Sequence, residues 1–497
     1  MLQQPLSALL SGLLDIHGND PIISGLCTDS RIAKPGDLFI ANKGTQSDGR
    51  LFIIDAIAHN VTAVVYEADD LTQAMQETIT KYEHQLPMIA LSDLDEKIGL
   101  IAQRFYQNPS KAMHIMGATG TNGKTSCAYF LTQAQELLGK KAAMMGTIGI
   151  GPSHALKEST HTTLCALPLQ QHLYELAQEQ FHYINMEVSS HALSQHRVSG
   201  VPFEVALFTN LTLDHLDYHH TMEEYGKAKL KLFKWESLKY AVINLDDEFS
   251  ENVINTISDN VKIIGVSLRG RTHIRCAQIL TADHIELSAD QTCAQINGHA
   301  FKTAILGEFN LSNLLLVQGA LIAFGFSFND SIKVLSQLHE PPGRLTKIGG
   351  NGKPFVFIDY AHTPDALEKV LTVLKPLCKG QLWCVFGCGG DRDNSKRSLM
   401  ANIAQTYADK VIVTDDNPRT EDPKQIVQQM MQGFKNPETV TIEHDRSKAI
   451  EYAIKNALPN DFVLIAGKGH EDYQIIGTHK HSLSDLKIAK ESLQNLT

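Results

Sequence analysis

The segment GATGTNGKT occupies residues 117–125, directly after a short apolar run and at the start of a helical pattern. A strand that passes through a glycine-rich turn into a helix presents backbone N–H groups and the positive end of the helix dipole to an anion. Lys124 would neutralise the β- and γ-phosphates of a nucleotide, and the Thr125 hydroxyl would bind Mg²⁺. The strict phosphate-loop spacing requires glycine where this chain has Ala118. The segment predicts a phosphate loop in an α/β domain, and it leaves the reaction open.

Outward from this loop, short apolar strands alternate with helical patterns over almost all of the 497 residues. This alternation is typical of α/β units with parallel sheets, and the length predicts about three domains. We expect an N-terminal domain over 1–92, a central domain over 93–340 and a C-terminal domain over 341–497, with the Pro341–Gly343 stretch as a hinge. In the first domain, only Val61–Glu67 and Pro87–Ser92 have the pattern of strands.

Composition excludes several classes of protein. The chain has 44 Lys and Arg against 55 Asp and Glu, a net charge of −11, which disfavours nucleic-acid binding. The segment near Met1 lacks the positive charge of a signal peptide, and the apolar stretch Leu311–Phe326 is too short and too polar to cross a bilayer. We therefore expect a cytoplasmic protein, without membrane insertion and monomeric.

Two polar segments follow predicted strands, and ligands bind at the carboxyl ends of parallel strands. EVSSH begins at Glu187, which is either a Mg²⁺ ligand or an ordinary edge carboxylate. NLTLDHLDYHH covers residues 210–220, and its histidines and aspartates suggest either a zinc site or part of a Mg–ATP site. By residue type alone, Lys229 would belong to a solvated cationic helix face.

Ten motifs follow one another along the chain. They are TGTNGKT (119–125), EVSSHAL (187–193), NLTLDHLDYH (210–219), YGKAK (225–229), GEFNLSNLL (307–315), PPGR (341–344), DYAHTPDAL (359–367), GCGGDRD (387–393), DNPR (416–419) and GKGHEDYQ (467–474). Together they resemble the Mur ligase family, ATP-dependent amide-forming enzymes of peptidoglycan synthesis. The resemblance implies a three-domain architecture in which an N-terminal domain binds the UDP end of the substrate, followed by a central P-loop ATPase domain and a C-terminal Rossmann-like domain.

The resemblance implies that ATP phosphorylates a carboxylate of UDP-MurNAc-L-Ala-D-Glu and that meso-2,6-diaminopimelate then displaces phosphate from the acyl phosphate. Its cofactors would be ATP and Mg²⁺, with a carbamate formed from CO₂ on Lys229. The implied catalytic residues are Lys124, Glu187, His215, Lys229 and His362. The implied Mg²⁺ ligands are Thr125, Glu187, His215 and the carbamate. The implied ATP contacts are Gly120, Thr121, Asn122, Gly123, Lys124, Thr125, Ser126, Asn310, Arg344 and Asp359.

The resemblance also implies two further sets of contacts, one for the UDP-sugar peptide and one for the amino acid. At the positions of Thr28, Thr45 and His161, family members often carry a different residue from this chain. In the amino-acid set, Arg419 would bind the distal carboxylate of diaminopimelate, Glu471 its distal ammonium, and Arg392 the carboxylate near the reacting amine. The UDP-sugar peptide set is Thr28, Ser30, Thr45, Gln46, Ser47, Thr162, Thr163, Ser189, Gln195 and Arg197. The amino-acid set is Arg392, Asp416, Asn417, Pro418, Arg419, Gly467 and Glu471.

Two alternatives remain. One is a different Mur-type ligase: a lysine-adding enzyme, a muropeptide recycling ligase or a folylpolyglutamate synthetase. The other is a P-loop switch or motor protein, which would not need the third domain with its GKGHEDYQ segment.

Overall fold

The computed structural model describes residues 2–44 and 47–496, and this part of the chain contains three large sheets and two two-stranded sheets. The first sheet is parallel, in the order β3-β4-β5-β6. The prediction found its last two strands and missed the first two, because a three-residue strand and a wholly buried five-residue strand show no alternation of polar and apolar residues. The elements are β1 Gln4–Pro5, α1 Leu6–Leu10, β2 Ile22–Ile23, β3 Gly25–Cys27, β4 Asp37–Ala41, α2 Ile53–Ala58, β5 Ala63–Glu67, α3 Gln73–Tyr82, β6 Met88–Leu91 and α4 Leu94–Phe105.

Helix α4 joins the first two regions. Its buried residues Leu94, Ile98 and Ile101 share one hydrophobic core with the first sheet and with Ala166 and Leu167 of the next region. Because this core spans both regions, the proposed boundary between residues 92 and 93 stays a prediction.

The second sheet carries the phosphate loop. Its described strands have the order β16-β15-β14-β13-β12-β11-β7-β10-β8-β9, parallel from β14 to β8 and antiparallel at both edges. The predicted hairpin turn at Asn297 and Gly298 joins β15 and β16, and both residues have positive φ. The elements are β7 His114–Thr119, α5 Lys124–Leu137, β8 Ala142–Gly146, β9 Gly149–Gly151, α6 Ala166–Gln178, β10 Tyr183–Glu187, α7 Ser190–Ser194, β11 Val205–Phe208, α8 Leu216–His219, α9 Met222–Leu230, β12 Tyr240–Asn244, α10 Ser250–Thr256, β13 Lys262–Ser267, β14 Cys276–Leu287, β15 Thr292–Ile296, β16 His299–Thr303, α11 Glu308–Ala323 and α12 Phe328–Leu335.

The third sheet has the order β17-β18-β22-β19-β20-β21 and is parallel apart from its edge strand β17. Its first helix begins as predicted, with Thr363 as the N-cap and Pro364 as the first helical residue. The elements are β17 Thr346–Gly349, β18 Phe355–Asp359, α13 Pro364–Leu377, β19 Leu382–Phe386, α14 Lys396–Tyr407, β20 Lys410–Val413, α15 Pro423–Met431, β21 Thr441–Ile442, α16 Arg446–Asn456, β22 Phe462–Ala466, β23 Tyr473–Ile476, β24 His479–Ser482 and α17 Asp485–Gln494.

The linker between the second and third regions packs tightly against the third. Gly343 has a φ of +70°, and a Cβ atom there would lie 2.1 Å from the backbone nitrogen of His470. Only glycine fits this close approach without displacing backbone. Among residues 2–44 and 47–496, no helix is long and apolar enough to cross a membrane.

Candidate active site

The phosphate loop lies at the centre of the second sheet. Strand β7 leads into it and pairs in parallel with β10 on one side and β11 on the other. Glu187 ends β10, and Asn210 follows β11, so both stand at the carboxyl edge next to the loop. The topology therefore brings the predicted strand-end residues to one place.

The loop packs closely against the residues that follow β11 and against the Lys124 side chain. Gly120 has a φ of +147°, and a Cβ atom there would lie 1.8 Å from the Oγ1 atom of Thr209. The Lys124 ammonium donates to the carbonyl oxygens of Gly120 and Thr121, both at 2.8 Å. Burial lowers the pKa of Lys124, and Glu187 opposes this shift. The ammonium therefore stands over a curved loop without a carboxylate partner among the described residues.

Glu187 is buried and joins the loop to the neighbouring strand. One carboxylate oxygen accepts from the Thr125 hydroxyl at 2.8 Å, and the other accepts from the backbone N–H of Thr147 at 2.7 Å. The Arg344 guanidinium, from the linker, donates to the Thr125 hydroxyl oxygen at 3.3 Å. Thr125 and Glu187, two of the predicted Mg²⁺ ligands, are therefore adjacent.

Lys229 does not lie on a solvated face. Its side chain is 1% exposed, and its Nζ atom donates to the Gly120 carbonyl at 2.9 Å and lies 4.2 Å from the centre of the Tyr225 ring. Burial, together with the Lys124 charge, holds the pKa of Lys229 well below its usual range. The prediction from residue type alone was wrong here, because it could not see that α9 packs against the loop.

The histidines after β11 form an aromatic cluster beside the loop. His191 contacts His215, Tyr218 and His219, with ring centres 4.2–5.3 Å apart. Burial lowers the pKa of His191 to about 4, with help from His215. Across the described ranges, no three His, Cys, Asp or Glu side chains are arranged to hold a metal ion. The Nε2 atom of His215 lies 3.3 Å from the Asp214 carboxylate.

Two cavities meet at the phosphate loop. The first, of about 550 Å³, is lined by the predicted ATP residues Asn122, Gly123, Ser126, Asn310, Arg344 and Asp359. It is also lined by residues that the sequence analysis did not propose, namely Asp246, Asp247, Arg269 and Lys369. Both Asp359 oxygens accept backbone N–H groups, from Leu345 at 2.7 Å and from Ala361 at 2.8 Å, so this carboxylate also fixes the linker.

The second cavity, of about 480 Å³, lies on the other side of the loop. It combines residues of the second and third regions, because the carboxyl edge of the second sheet faces α13 and the loop after β19. Predicted residues that line it are Thr121, Asn122, Gly123, Lys124, Thr125, Ser126, Thr162, Thr163, Glu187, Ser189, Arg197, His215, Lys229, Arg344, His362 and Arg392.

The residues predicted to bind the UDP-sugar peptide form two groups. Near the loop, the Thr163 hydroxyl donates to the Glu187 carbonyl at 2.8 Å, and Arg197 donates to the Thr163 carbonyl at 3.1 Å and to the Gln195 amide oxygen at 2.9 Å. Exposed Thr28 and Ser47 and buried Ser30 belong to the first region and line neither cavity. Thr45 and Gln46 lie outside the described residues.

The predicted amino-acid residues meet beside the third sheet. Arg419 donates to the Gly390 carbonyl at 2.8 Å, and the Asn417 amide donates to Glu471 at 3.1 Å. Asp416, Pro418 and Gly467 are buried around them, and Arg392 is exposed at the mouth of the second cavity. Sequence reasoning missed Lys468, although it lies inside GKGHEDYQ.

A second missed residue is Asp365, in the first turn of α13. One of its oxygens accepts from the Asn122 amide at 2.6 Å, the Thr212 hydroxyl at 3.1 Å and the Lys369 ammonium at 2.9 Å. It ties the third region directly to the phosphate loop. Its place in the motif DYAHTPDAL was the only signal that could have found it.

Comparisons with known proteins agree with this geometry. Family models match residues 22–106 ("Mur ligase family, catalytic domain"), 118–321 ("Mur ligase middle domain") and 343–469 ("Mur ligase, glutamate ligase domain"). A protein of Ectopseudomonas mendocina named UDP-N-acetylmuramoyl-L-alanyl-D-glutamate–2,6-diaminopimelate ligase is 45% identical over 97% of this chain and 98% of its own. A protein of Coxiella burnetii with the same name is 43% identical over 97% and 99%.

Solved structures give the same result. One titled as a UDP-N-acetylmuramoyl-L-alanyl-D-glutamate–2,6-diaminopimelate ligase matches with a TM-score of 0.71 and 34% identity over 99% of both chains. A MurF structure from Acinetobacter baumannii, at 16% identity and a TM-score of 0.64, shares the fold. The predicted three-domain α/β architecture is therefore confirmed. This chain belongs to the Mur ligase family.

Proposed function

We propose that this chain is an ATP-dependent ligase that adds meso-2,6-diaminopimelate to UDP-MurNAc-L-Ala-D-Glu, forming ADP and phosphate. One observation carries the proposal: the phosphate loop, Glu187, Lys229 and the third-region residue Arg392 all line one cavity, which adjoins the nucleotide cavity at Asn122. The full-length relatives named as diaminopimelate ligases support the choice of amino acid.

The arrangement suits a two-step reaction. A carboxylate resists attack by an amine because it lacks a good leaving group. Transfer of the γ-phosphoryl group to the substrate carboxylate breaks the bond to ADP and forms an acyl phosphate. The amine then attacks the acyl carbon, loses a proton and displaces phosphate. Phosphoryl transfer needs positioning and neutralisation of charge more than covalent chemistry, and Lys124 supplies a fixed cation beside the loop.

The donor set fits Mg²⁺. The Thr125 hydroxyl and the Glu187 carboxylate are adjacent, and oxygen ligands of this kind suit a hard divalent cation. His215 would be the third ligand. When bound, Mg²⁺ would neutralise charge on the phosphate oxygens. The protein's own part is to orient these ligands through the backbone N–H of Thr147 and the guanidinium of Arg344.

The surroundings of Lys229 support a carbamate. Only a neutral amine attacks CO₂, and the lowered pKa of Lys229 favours the neutral form. The nitrogen would form a bond to the carbon of CO₂ and release a proton, which converts a buried amine into an anion. The Lys124 ammonium, whose charge acts on Lys229, would stabilise the carbamate anion. The carbamate would in turn serve as the carboxylate partner of Lys124.

The third region supports selection of diaminopimelate over lysine. The two amino acids share their reacting end, and only diaminopimelate has a second carboxylate at the far end. A planar guanidinium such as that of Arg419 suits two parallel hydrogen bonds to that carboxylate. Lysine would instead bring an ammonium close to Arg419, and this repulsion would disfavour it.

Mass spectrometry of the products tests the proposal. The protein is incubated with UDP-MurNAc-L-Ala-D-Glu, ATP and an equimolar mixture of amino acids that includes meso-diaminopimelate and lysine. We expect only the diaminopimelate adduct, with ADP formed in equal amount. A lysine adduct would establish the lysine-adding alternative. A second incubation contains UDP-MurNAc, a free tripeptide and ATP, and efficient joining there would establish a recycling ligase. A third contains ATP alone, and rapid hydrolysis there would exclude a ligase.

A further inference from the structure

Lys468 is a fully buried lysine that the proposed reaction does not use. It follows β22, and its side chain is 0% exposed. Its ammonium donates to the Glu471 carboxylate at 2.9 Å and to the Asn417 amide oxygen at 3.1 Å. A buried cation is expensive unless it is paired and hydrogen-bonded, and these two contacts satisfy that need. The partners belong to two separate segments, DNPR and GKGHEDYQ.

These contacts fix the orientation of the Asn417 amide. Its oxygen accepts from Lys468 and also from the backbone N–H of Ile475 at 2.8 Å. With two donors at the oxygen, the amide nitrogen must point the other way, and it donates to Glu471 at 3.1 Å. A flipped amide would place an N–H group against the Lys468 ammonium.

The same contacts leave one side of Glu471 open. Its Oε2 atom accepts from both Lys468 and Asn417. Its Oε1 atom accepts no hydrogen bond from any residue that the structure describes. A carboxylate held at one oxygen by two donors presents the other oxygen in a fixed direction.

We propose that Lys468 is a positioning residue for the amino-acid substrate. By holding Asn417 and one oxygen of Glu471, it aims the free oxygen of Glu471 at the ammonium of the amino acid. This inference rests on the proposed function. It adds that recognition at Glu471 depends on a buried cation behind the carboxylate, which also compensates the Glu471 charge before the substrate arrives.

Steady-state kinetics of Lys468→Met test the proposal. Methionine keeps the length of the apolar stem and removes the ammonium. We expect the KM for diaminopimelate to rise about tenfold, the scale of a charge-assisted hydrogen bond. The KM values for ATP and for UDP-MurNAc-L-Ala-D-Glu should stay within about twofold, because neither substrate contacts this segment in the proposed arrangement.

The chain offers a matched control. Lys480 lies 4.2 Å from the centre of the Tyr473 ring, against 5.4 Å for Lys468, and it is exposed. Lys480→Met should leave all three KM values unchanged. If Lys468→Met fails to fold, Lys468→Gln removes the positive charge and keeps a polar N–H donor in the buried site. The same three KM values are then compared between Lys468→Gln and the wild type.

A double-mutant cycle separates positioning from a general loss of structure. If Lys468 acts through Glu471, then Lys468→Met should add little to the KM effect of Glu471→Gln. Fully additive effects, an unchanged KM for diaminopimelate, or equal rises in all three KM values would overturn the inference. If the wild type fails to use diaminopimelate, the proposed function itself fails. If the wild type uses it and Lys468→Met binds it equally well, only the role of Lys468 fails.

Discussion

The basic side chains beside the phosphate loop and those in the third region have opposite kinds of partner. Beside the loop, Lys124 and Lys229 donate to backbone carbonyls and pair with no carboxylate among the described residues. In the third region, Lys468 pairs with Glu471, and Arg446 pairs with Asp485 at 2.7 Å. A lysine without a carboxylate partner can take an anionic ligand, as we propose for Lys124, or can lose its charge and react with CO₂, as we propose for Lys229. A paired cation instead holds other groups in place.

The largest expected effect comes from removing Lys229, one of the two lysines without a carboxylate partner among the described residues. Lys229→Ala deletes the group that would become the carbamate. We expect the rate of ligation to fall by at least about 100-fold, the scale of losing one preorganised electrostatic contact in a closed site. Product formation by liquid chromatography measures the loss. Lys227→Ala is the matched control, because Lys227 lies on the same helix but is exposed and pairs with Glu223 and Glu224.

A carbamate at Lys229 predicts that the Lys229→Ala variant can be rescued chemically. Small carboxylic acids, added to Lys229→Ala, should restore part of the rate by replacing the missing anion. Circular dichroism establishes that the variant is folded. Wild-type activity in Lys229→Ala, or an unmodified ammonium at Lys229 in a crystal of the active ligand-bound enzyme, would contradict the carbamate.

The contrast also explains how much the sequence could predict. The loop is contiguous, and the groups expected to bind an anion are backbone atoms, so spacing alone could predict a phosphate loop at residues 117–125. The burial of Lys229 needed the packing of α9 on the loop, and the contact between Asp365 and Asn122 spans 243 residues of sequence. Motif resemblance supplied the residues predicted to bind the amino acid, but it could not show that Lys468 contacts two of them, Asn417 and Glu471. Features that depend on neighbouring residues can be predicted from the sequence, whereas contacts between distant segments can be seen only in the folded structure.

A smaller effect is expected at Arg419, one of the residues predicted to bind the amino acid. Arg419→Ala should raise the KM for diaminopimelate at least about tenfold, because it removes the cation expected to bind the distal carboxylate, worth about 1.5–3 kcal/mol. Arg419→Lys keeps the positive charge and loses the planar guanidinium. Its KM for diaminopimelate should therefore lie between those of the wild type and Arg419→Ala. Initial-rate measurements with varied diaminopimelate check both variants. Unchanged kinetics in Arg419→Ala, or efficient use of lysine by the wild type, would assign the selection to other residues.

The smallest effect is expected where the two regions meet. Asp365 joins α13 to the phosphate loop through Asn122, and the pair of Asp365 with Lys369 compensates its charge. Asp365→Ala should weaken the docking of the third region on the loop by about 1 kcal/mol, the value of one ordinary hydrogen bond, and so raise the KM for ATP roughly fivefold.

Small-angle scattering connects that change in KM to docking. Domain closure commonly completes a catalytic site and excludes water. The wild type should become more compact when an ATP analogue and UDP-MurNAc-L-Ala-D-Glu are both present, and Asp365→Ala should need more analogue to reach the same radius of gyration. Glu368→Gln is the control, because Glu368 lies on the same helix and accepts from Tyr407 within the third region at 2.7 Å. If Asp365→Ala and Glu368→Gln behave alike, the contact with Asn122 does not stabilise docking, and other contacts between the two regions, such as that of Lys347 with the Ala289 carbonyl at 2.8 Å, must do so.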